Sequence, residues 1–140
     1  MRHHETEIRV RYKETDQMGV VYYSNYFVWF EVARTEYLRA MGLAYSEIEK
    51  RGLRLMVARA DCTYLSPARY DDMVTVSSWI PEIRNSSLTF EYKISVGDRP
   101  VATGKSVHVF TDPSAKPVRI PKDLKDILGR DPGAGKGVTS

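Results

Sequence analysis

The sequence predicts an α+β domain in which an antiparallel sheet wraps one long, largely buried helix. Two patterns carry that expectation. Large apolar side chains recur at helical spacing over residues 26–41, and between residues 54 and 110 they recur at every second position between turn-forming residues. A helix that is apolar around most of its circumference needs a partner surface, and the strands that follow supply it.

The first strand is expected where Thr6, Ile8, Val10 and Tyr12 alternate with Glu7, Arg9, Arg11 and Lys13. A tight loop around Asp16 and Gly19 follows. Tyr26, Phe30, Ala33, Tyr37 and Met41 then mark one face of the helix, and Phe27, Trp29, Val32 and Leu38 widen it. Glu31, Thr35 and Arg39 are left as a narrow solvent stripe. Ser24 or Asn25 can cap the start, and Gly42 can take the left-handed conformation that ends the helix. A short polar helix is expected from Ser46 to Arg51, closed by Gly52.

The second strand spans Arg54 to Leu65, where Met56, Ala58, Ala60, Cys62 and Tyr64 alternate with Val57, Arg59, Asp61 and Thr63. Pro67 and the Asp71-Asp72 pair mark a turn. A third strand runs from Met73 to about Ile83, with Pro81 at an edge or bulge because it cannot donate to a ladder. Leu88, Phe90, Tyr92, Ile94 and Val96 make the clearest strand, and Gly97-Asp98 turns it back. In the fifth, Val101 to Phe110, the small residues Ala102, Gly104 and Ser106 share one face and would let a helix approach closely. Pro121 to Leu128 can form a short helix with Pro in its first turn. Residues 1–128 thus read as one domain and 129–140 as a disordered tail. The tail's Gly133-Ala134-Gly135-Lys136 lacks the spacing and the flanking strand and helix of a phosphate-binding loop.

At 140 residues the chain has the length of one domain, and 42% hydrophobic with 28% charged residues is ordinary for a globular protein. A net charge of +3 without a Lys/Arg block gives no footprint for nucleic acid. A lone cysteine, Cys62, rules out an intrachain disulfide and is expected in a buried strand position. No run is apolar enough to span a membrane, and the N-terminus lacks a signal-like core, so a cytoplasmic location is expected. His3 and His4 read as a frayed terminus, and neither a metal nor a cofactor is expected.

The run Thr15-Asp16-Gln17-Met18-Gly19-Val20-Val21-Tyr22-Tyr23-Ser24-Asn25-Tyr26 resembles the signature of the 4-hydroxybenzoyl-CoA thioesterase-like branch of the hotdog-fold acyl-CoA thioesterases. That signature is an Asp, a Gly three residues on, an aliphatic pair, an aromatic, His or Tyr, and a Tyr three further. The resemblance continues through Arg34-Thr35-Glu36-Tyr37-Leu38 and the turn from Pro67 to Asp72, and covers residues 6–128. Many relatives carry His where this chain has Tyr23, whereas the 4-hydroxybenzoyl-CoA type carries Tyr. The resemblance implies a hotdog fold of about five strands around a central helix and an acyl-CoA substrate. It also implies a homodimer or homotetramer with active sites between subunits. It further implies that the segment Arg84, Asn85, Ser86 and Ser87 meets the nucleotide phosphates, a task for which Arg and hydroxyls are chemically apt. A solvated hairpin is the alternative for that segment.

Chemistry leads to the same stretch. Thioester hydrolysis needs a group that attacks the carbonyl or activates water, and a group that stabilises the oxyanion. The sequence has no Gly-x-Ser-x-Gly elbow, Cys/His pair or metal cluster. It does have a carboxylate, Asp16, in a glycine-containing loop that leads into a helix N-terminus, where free N–H groups can polarise a carbonyl. Asp16 would serve as nucleophile or general base, the backbone N–H of Tyr23 would hold the oxyanion, and Gly19 would allow the turn that joins them. Met18 and Val20 would offer apolar contacts to aromatic or aliphatic acyl groups alike. The alternative for Asp16 is a turn-forming role. Glu31 reads as a solvent residue or as a supporting carboxylate. Two other functions fit less of the sequence: a non-catalytic acyl-CoA-binding or scaffold subunit, and a hydratase or dehydratase using His108, the only internal histidine.

Overall fold

A computed structural model describes residues 3–130. Its elements are β1 (His4–Arg9), a 3-10 turn (Tyr12–Glu14), α1 (Asn25–Ala40), α2 (Tyr45–Lys50) and β2 (Arg54–Tyr64), then β3 (Met73–Ile83), β4 (Ser87–Val96), β5 (Arg99–Thr111) and α3 (Lys122–Leu128). The strands form one sheet in the order β1-β3-β4-β5-β2, with every neighbour antiparallel. The expected tail lies outside the described residues except for Gly129 and Arg130.

Alternation in β3 and β4 turns Val74, Val76, Ile80, Leu88, Phe90, Tyr92 and Ile94 to one face, where they are buried. Against that face lies α1, burying Tyr26, Trp29, Phe30, Ala33, Tyr37 and Leu38. The Phe30 ring stacks on Tyr92 with centroids 4.3 Å apart, and Tyr37 meets Phe90 edge-on at 5.3 Å. Gly104 makes the close approach possible: a Cβ there would overlap the Phe30 ring. Pro81 sits where the β3–β4 register shifts, so its missing donor falls at a bulge. Gly42 takes φ of 78° directly after α1, and Gly97 takes 58° in the β4–β5 hairpin.

Several expectations need correction. β1 stops at Arg9, and Tyr12 is 76% exposed in the 3-10 turn instead of extending the strand. The reason is Glu14, whose side chain accepts the Arg11 N–H and curls the chain there. Ser24 makes no side-chain cap on α1, and Asn25, the first helical residue, donates its Nδ2 to Glu14 O. Val28 and Val32 are exposed, so this chain alone does not cover the whole apolar circumference of α1. Pro121 is the N-cap of α3 and not its first helical residue, its carbonyl accepting Lys125 N–H at 2.9 Å. His4 lies in β1, and His3 stacks on Trp79 with centroids 3.9 Å apart, so neither is frayed. Cys62 is half-buried, because β2 pairs only with β5 and is exposed along most of its length.

Candidate active site at the start of the long helix

Between Val10 and Asn25 the chain makes a small hairpin anchored to the β2–β3 connection. Thr15 bridges Val21, Asp16 N–H donates to Val20 O at 2.9 Å, and Gly19 N–H donates to Asp16 O at 3.0 Å. The returning arm is tied down by a Val20–Arg69 bridge and by Val21 N–H on Ala68 O at 2.9 Å. Gly19 has φ of 78°, and a Cβ there would touch nothing, so the turn uses this glycine for backbone conformation alone.

The Asp16 carboxylate divides its two oxygens. Oδ1 accepts the N–H of Met18 at 2.8 Å and of Val20 at 3.4 Å, which is the turn-forming role. Oδ2 has no partner among the described residues and belongs to an exposed side chain. One oxygen therefore fixes the carboxylate while the other is available to a substrate or a water.

The hairpin leads directly into α1. Tyr22 N–H is taken by Glu14 O at 2.8 Å, while the N–H groups of Tyr23 and Ser24 are donated to no backbone acceptor among the described residues. They stand at the positive end of a 16-residue helix, a setting suited to developing negative charge. Tyr23 O accepts Tyr26 N–H at 3.3 Å and the Tyr64 hydroxyl at 3.1 Å. Burial of the Tyr64 hydroxyl, followed by neighbouring Cys62, pushes its pKa up to about 12, so the phenol stays protonated and donates. Beside Tyr23 lies an open groove of about 270 Å3, lined by Val21, Tyr26, Tyr64, Leu65 and Pro67.

Glu14 is a residue the sequence reading missed. It is 3% exposed, and its carboxylate accepts Arg11 N–H at 2.8 Å, Trp29 Nε1–H at 3.0 Å and Arg11 Nη2 at 3.4 Å. Burial works against its charge, but these hydrogen bonds outweigh burial and hold the carboxyl below its usual range. Spacing gives no sign of this, because Trp29 is brought over Glu14 by the hairpin and not by helical or strand periodicity. Tyr64 was likewise placed only as a strand residue.

The expected site residues fall into two groups. Asp16, Met18, Gly19, Val20 and Tyr23 share the hairpin and helix start, with Met18 80% exposed and Val20 half-buried. Arg84, Asn85, Ser86 and Ser87 lie at the β3–β4 turn, beyond the far end of β3 from the hairpin, a separation of about 30 Å of strand. There Arg84 pairs with Glu82 at 2.9 Å and donates its N–H to Ser87 O, while Asn85 O and Ser86 O accept from Ile120 and Phe110. Glu31 is exposed on α1. His108 is fully buried, with Nε2 on Ser106 Oγ at 2.7 Å and its ring edge-on to Phe90. Among the described residues no group of three or more His, Cys, Asp or Glu could hold a metal, and no helix is long and apolar enough to cross a membrane.

Residues 10–128 match the family model of the thioesterase-like superfamily. The chain is 33% identical over 119 residues to YbgC of Escherichia coli O157:H7, named an acyl-CoA thioester hydrolase, covering 84% of this chain and 89% of that protein. A solved structure of a hypothetical protein from Aquifex aeolicus superposes with a TM-score of 0.86 at 36% identity, covering 89% of this chain and 98% of the other. The DHNA-CoA thioesterase of Staphylococcus aureus gives a TM-score of 0.86 at 31% identity, covering 91% and 89%. A curved five-stranded antiparallel sheet with one long helix is thus shared with thioesterases of the hotdog fold, and the chain belongs to the thioesterase-like superfamily.

Proposed function

We propose that this chain hydrolyses the thioester of an acyl-CoA to the free acid and coenzyme A, with Asp16 and the Tyr23 N–H as its machinery. The observation that carries the reading is the pairing of one unengaged Asp16 oxygen with undonated backbone N–H groups at the start of α1. The thioester oxygen would accept from Tyr23 N–H, which stabilises the charge that develops as the carbonyl carbon becomes tetrahedral. Asp16 Oδ2 would either attack that carbon, forming an acyl-aspartyl anhydride that water then hydrolyses to the free acid and Asp16, or take a proton from the water that attacks. In both routes the thiolate of coenzyme A leaves. Gly19 sets the turn, and Met18 and Val20 flank the reacting end.

Arg84, Asn85, Ser86 and Ser87 are assigned to the nucleotide phosphates. Because they lie far from Asp16 in the same chain, the assignment requires a second copy, and the exposed β2 edge supports a dimer or tetramer with shared sites. Residues 1–128 would form the single catalytic domain, with 129–140 a tail outside it, in a cytoplasmic protein without cofactor. The hydratase alternative is disfavoured, since His108 is enclosed and has no carboxylate partner.

The test is a pair of substitutions. Asp16→Asn should lower turnover about a hundredfold or more while substrate still binds. Tyr23→Phe should keep most activity, because the backbone donor survives. Equal inactivity of the two, with folded circular dichroism spectra, would make the phenol a catalytic donor. An Asp16→Asn variant with full turnover would remove Asp16 from the machinery, whereas a parent chain that binds acyl-CoA without releasing free thiol would favour a non-catalytic acyl-CoA-binding subunit.

A further inference from the structure

We propose that Glu14 is the positioning residue of the Asp16 hairpin, clamping its incoming arm, its outgoing arm and α1 to one another. The inference rests on the reading of Asp16 and Tyr23 given above. Through its side chain Glu14 holds Arg11 on the incoming arm and Trp29 inside α1. Through its carbonyl it holds Tyr22 N–H at 2.8 Å and Asn25 Nδ2 at 3.0 Å, one on each side of the helix entry. Tyr22 contributes the carbonyl half of the peptide whose N–H belongs to Tyr23. Glu14 itself lies two residues before Asp16. One residue thus sets where both proposed reacting groups stand.

A core-filling role alone explains less. A carboxylate removed from water needs full compensation, and a neutral or apolar residue would fill the same volume without that cost. What a carboxylate adds is acceptance of donors converging from different segments, with charge-assisted strength. The bonds made by Glu14 reach from just before the hairpin to the fifth residue of α1, across the whole proposed machinery. Attack on a carbonyl is sensitive to displacements of about 1 Å, so loosening this clamp would be felt in chemistry before binding.

The experiment compares Glu14→Gln, Trp29→Phe, their double variant and Asp16→Asn, using acyl-CoA turnover and hydrogen exchange. Glu14→Gln keeps one oxygen acceptor and removes the charge. It should lower kcat about ten- to a hundredfold with KM changed less than about threefold. Amides of Asp16, Gly19 and Tyr22 should exchange faster, while those of β3 and β4 should not. Trp29→Phe should lower kcat in the same direction, and the double variant should be no worse than Glu14→Gln alone. Wild-type kcat and loop exchange in Glu14→Gln, with Asp16→Asn inactive, would overturn the Glu14 proposal and leave the site reading intact. Full turnover in Asp16→Asn would overturn the site reading itself, and faster loop exchange in Glu14→Gln would still identify Glu14 as the clamp. Should Glu14→Gln fail to fold, Trp29→Phe decides, and an unchanged kcat there overturns the proposal.

Discussion

His108 holds Ser106 through Nε2 and has no partner on Nδ1 among the described residues. Burial, with the charge of Arg34 adding to it, pushes the imidazole down to about 3 from 6.5. Between those values the unfolded chain binds a proton that the folded chain does not, so stability rises with pH and is lost as pH falls from 6.5 toward 3. From pH 7 to pH 5 this loss amounts to about 2 kcal/mol. Glu14 acts in the same direction only lower, as pH falls through its depressed carboxyl pKa, and so outside the window from 7 to 5. Urea unfolding at the two pH values should show that difference, and His108→Gln should remove most of it. The same residue shows what the sequence withheld. His108 could be placed on a strand from alternation, but its enclosure beneath α1 depends on which face of β5 meets the helix. Glu14 was hidden more deeply, since only Arg11 stands at a spacing that signals contact, three residues before it, while Trp29 and Tyr22 do not.

Packing between α1 and the sheet was more legible, because it rests on periodicity. The helical face from Tyr26 to Met41 and the strands at Met73–Ile83 and Ser87–Val96 follow directly from spacings of 3.6 and 2. Element ends were harder to place: the alternation through Tyr12 outran β1, because Glu14 overrides strand propensity there. The small residues of β5 were recognised as room for the helix, and Gly104 meets the Phe30 ring. Alanine is ordinarily better than glycine in a strand, yet Gly104→Ala should lower stability by about 1–3 kcal/mol by displacing Phe30. Thermal unfolding would measure it. Adding Phe30→Leu should recover part of the loss, and equal stability of Gly104→Ala and the parent would show that the ring moves aside freely.

Among the described residues, the outer edge of β2, whose inner edge pairs with β5, and the part of α1 that carries Val28 and Val32 are open to a neighbour. Met56, Val57, Tyr64 and Leu65 are exposed along and just beyond β2. An edge strand of 11 residues with apolar side chains is a template for association unless something covers its outer edge. If the site joins the Asp16 hairpin of one copy to the Arg84 turn of another, two defective chains can repair each other. Asp16→Asn and Arg84→Ala chains, unfolded and refolded together, should regain about a quarter of parental activity at low acyl-CoA, because half of the dimers are mixed and each has one intact site. Activity no greater than the average of the two separate variants would place the working groups in one chain.

The strand order has an entropic consequence. β3, β4 and β5 are joined by short turns, whereas β1 and β2 reach their partners only after long excursions, and His4 meets Ser78 across 74 residues. Closing that excursion costs roughly 2 kcal/mol more than closing the Ile83–Leu88 turn. The meander is therefore the cheap part of the sheet to assemble, and its two rims are the cheap parts to release. The Asp16 hairpin hangs beside one rim, where Val10 meets Asp72 and Val21 meets Ala68. Opening it for a ligand does not require disturbing the meander on which α1 rests.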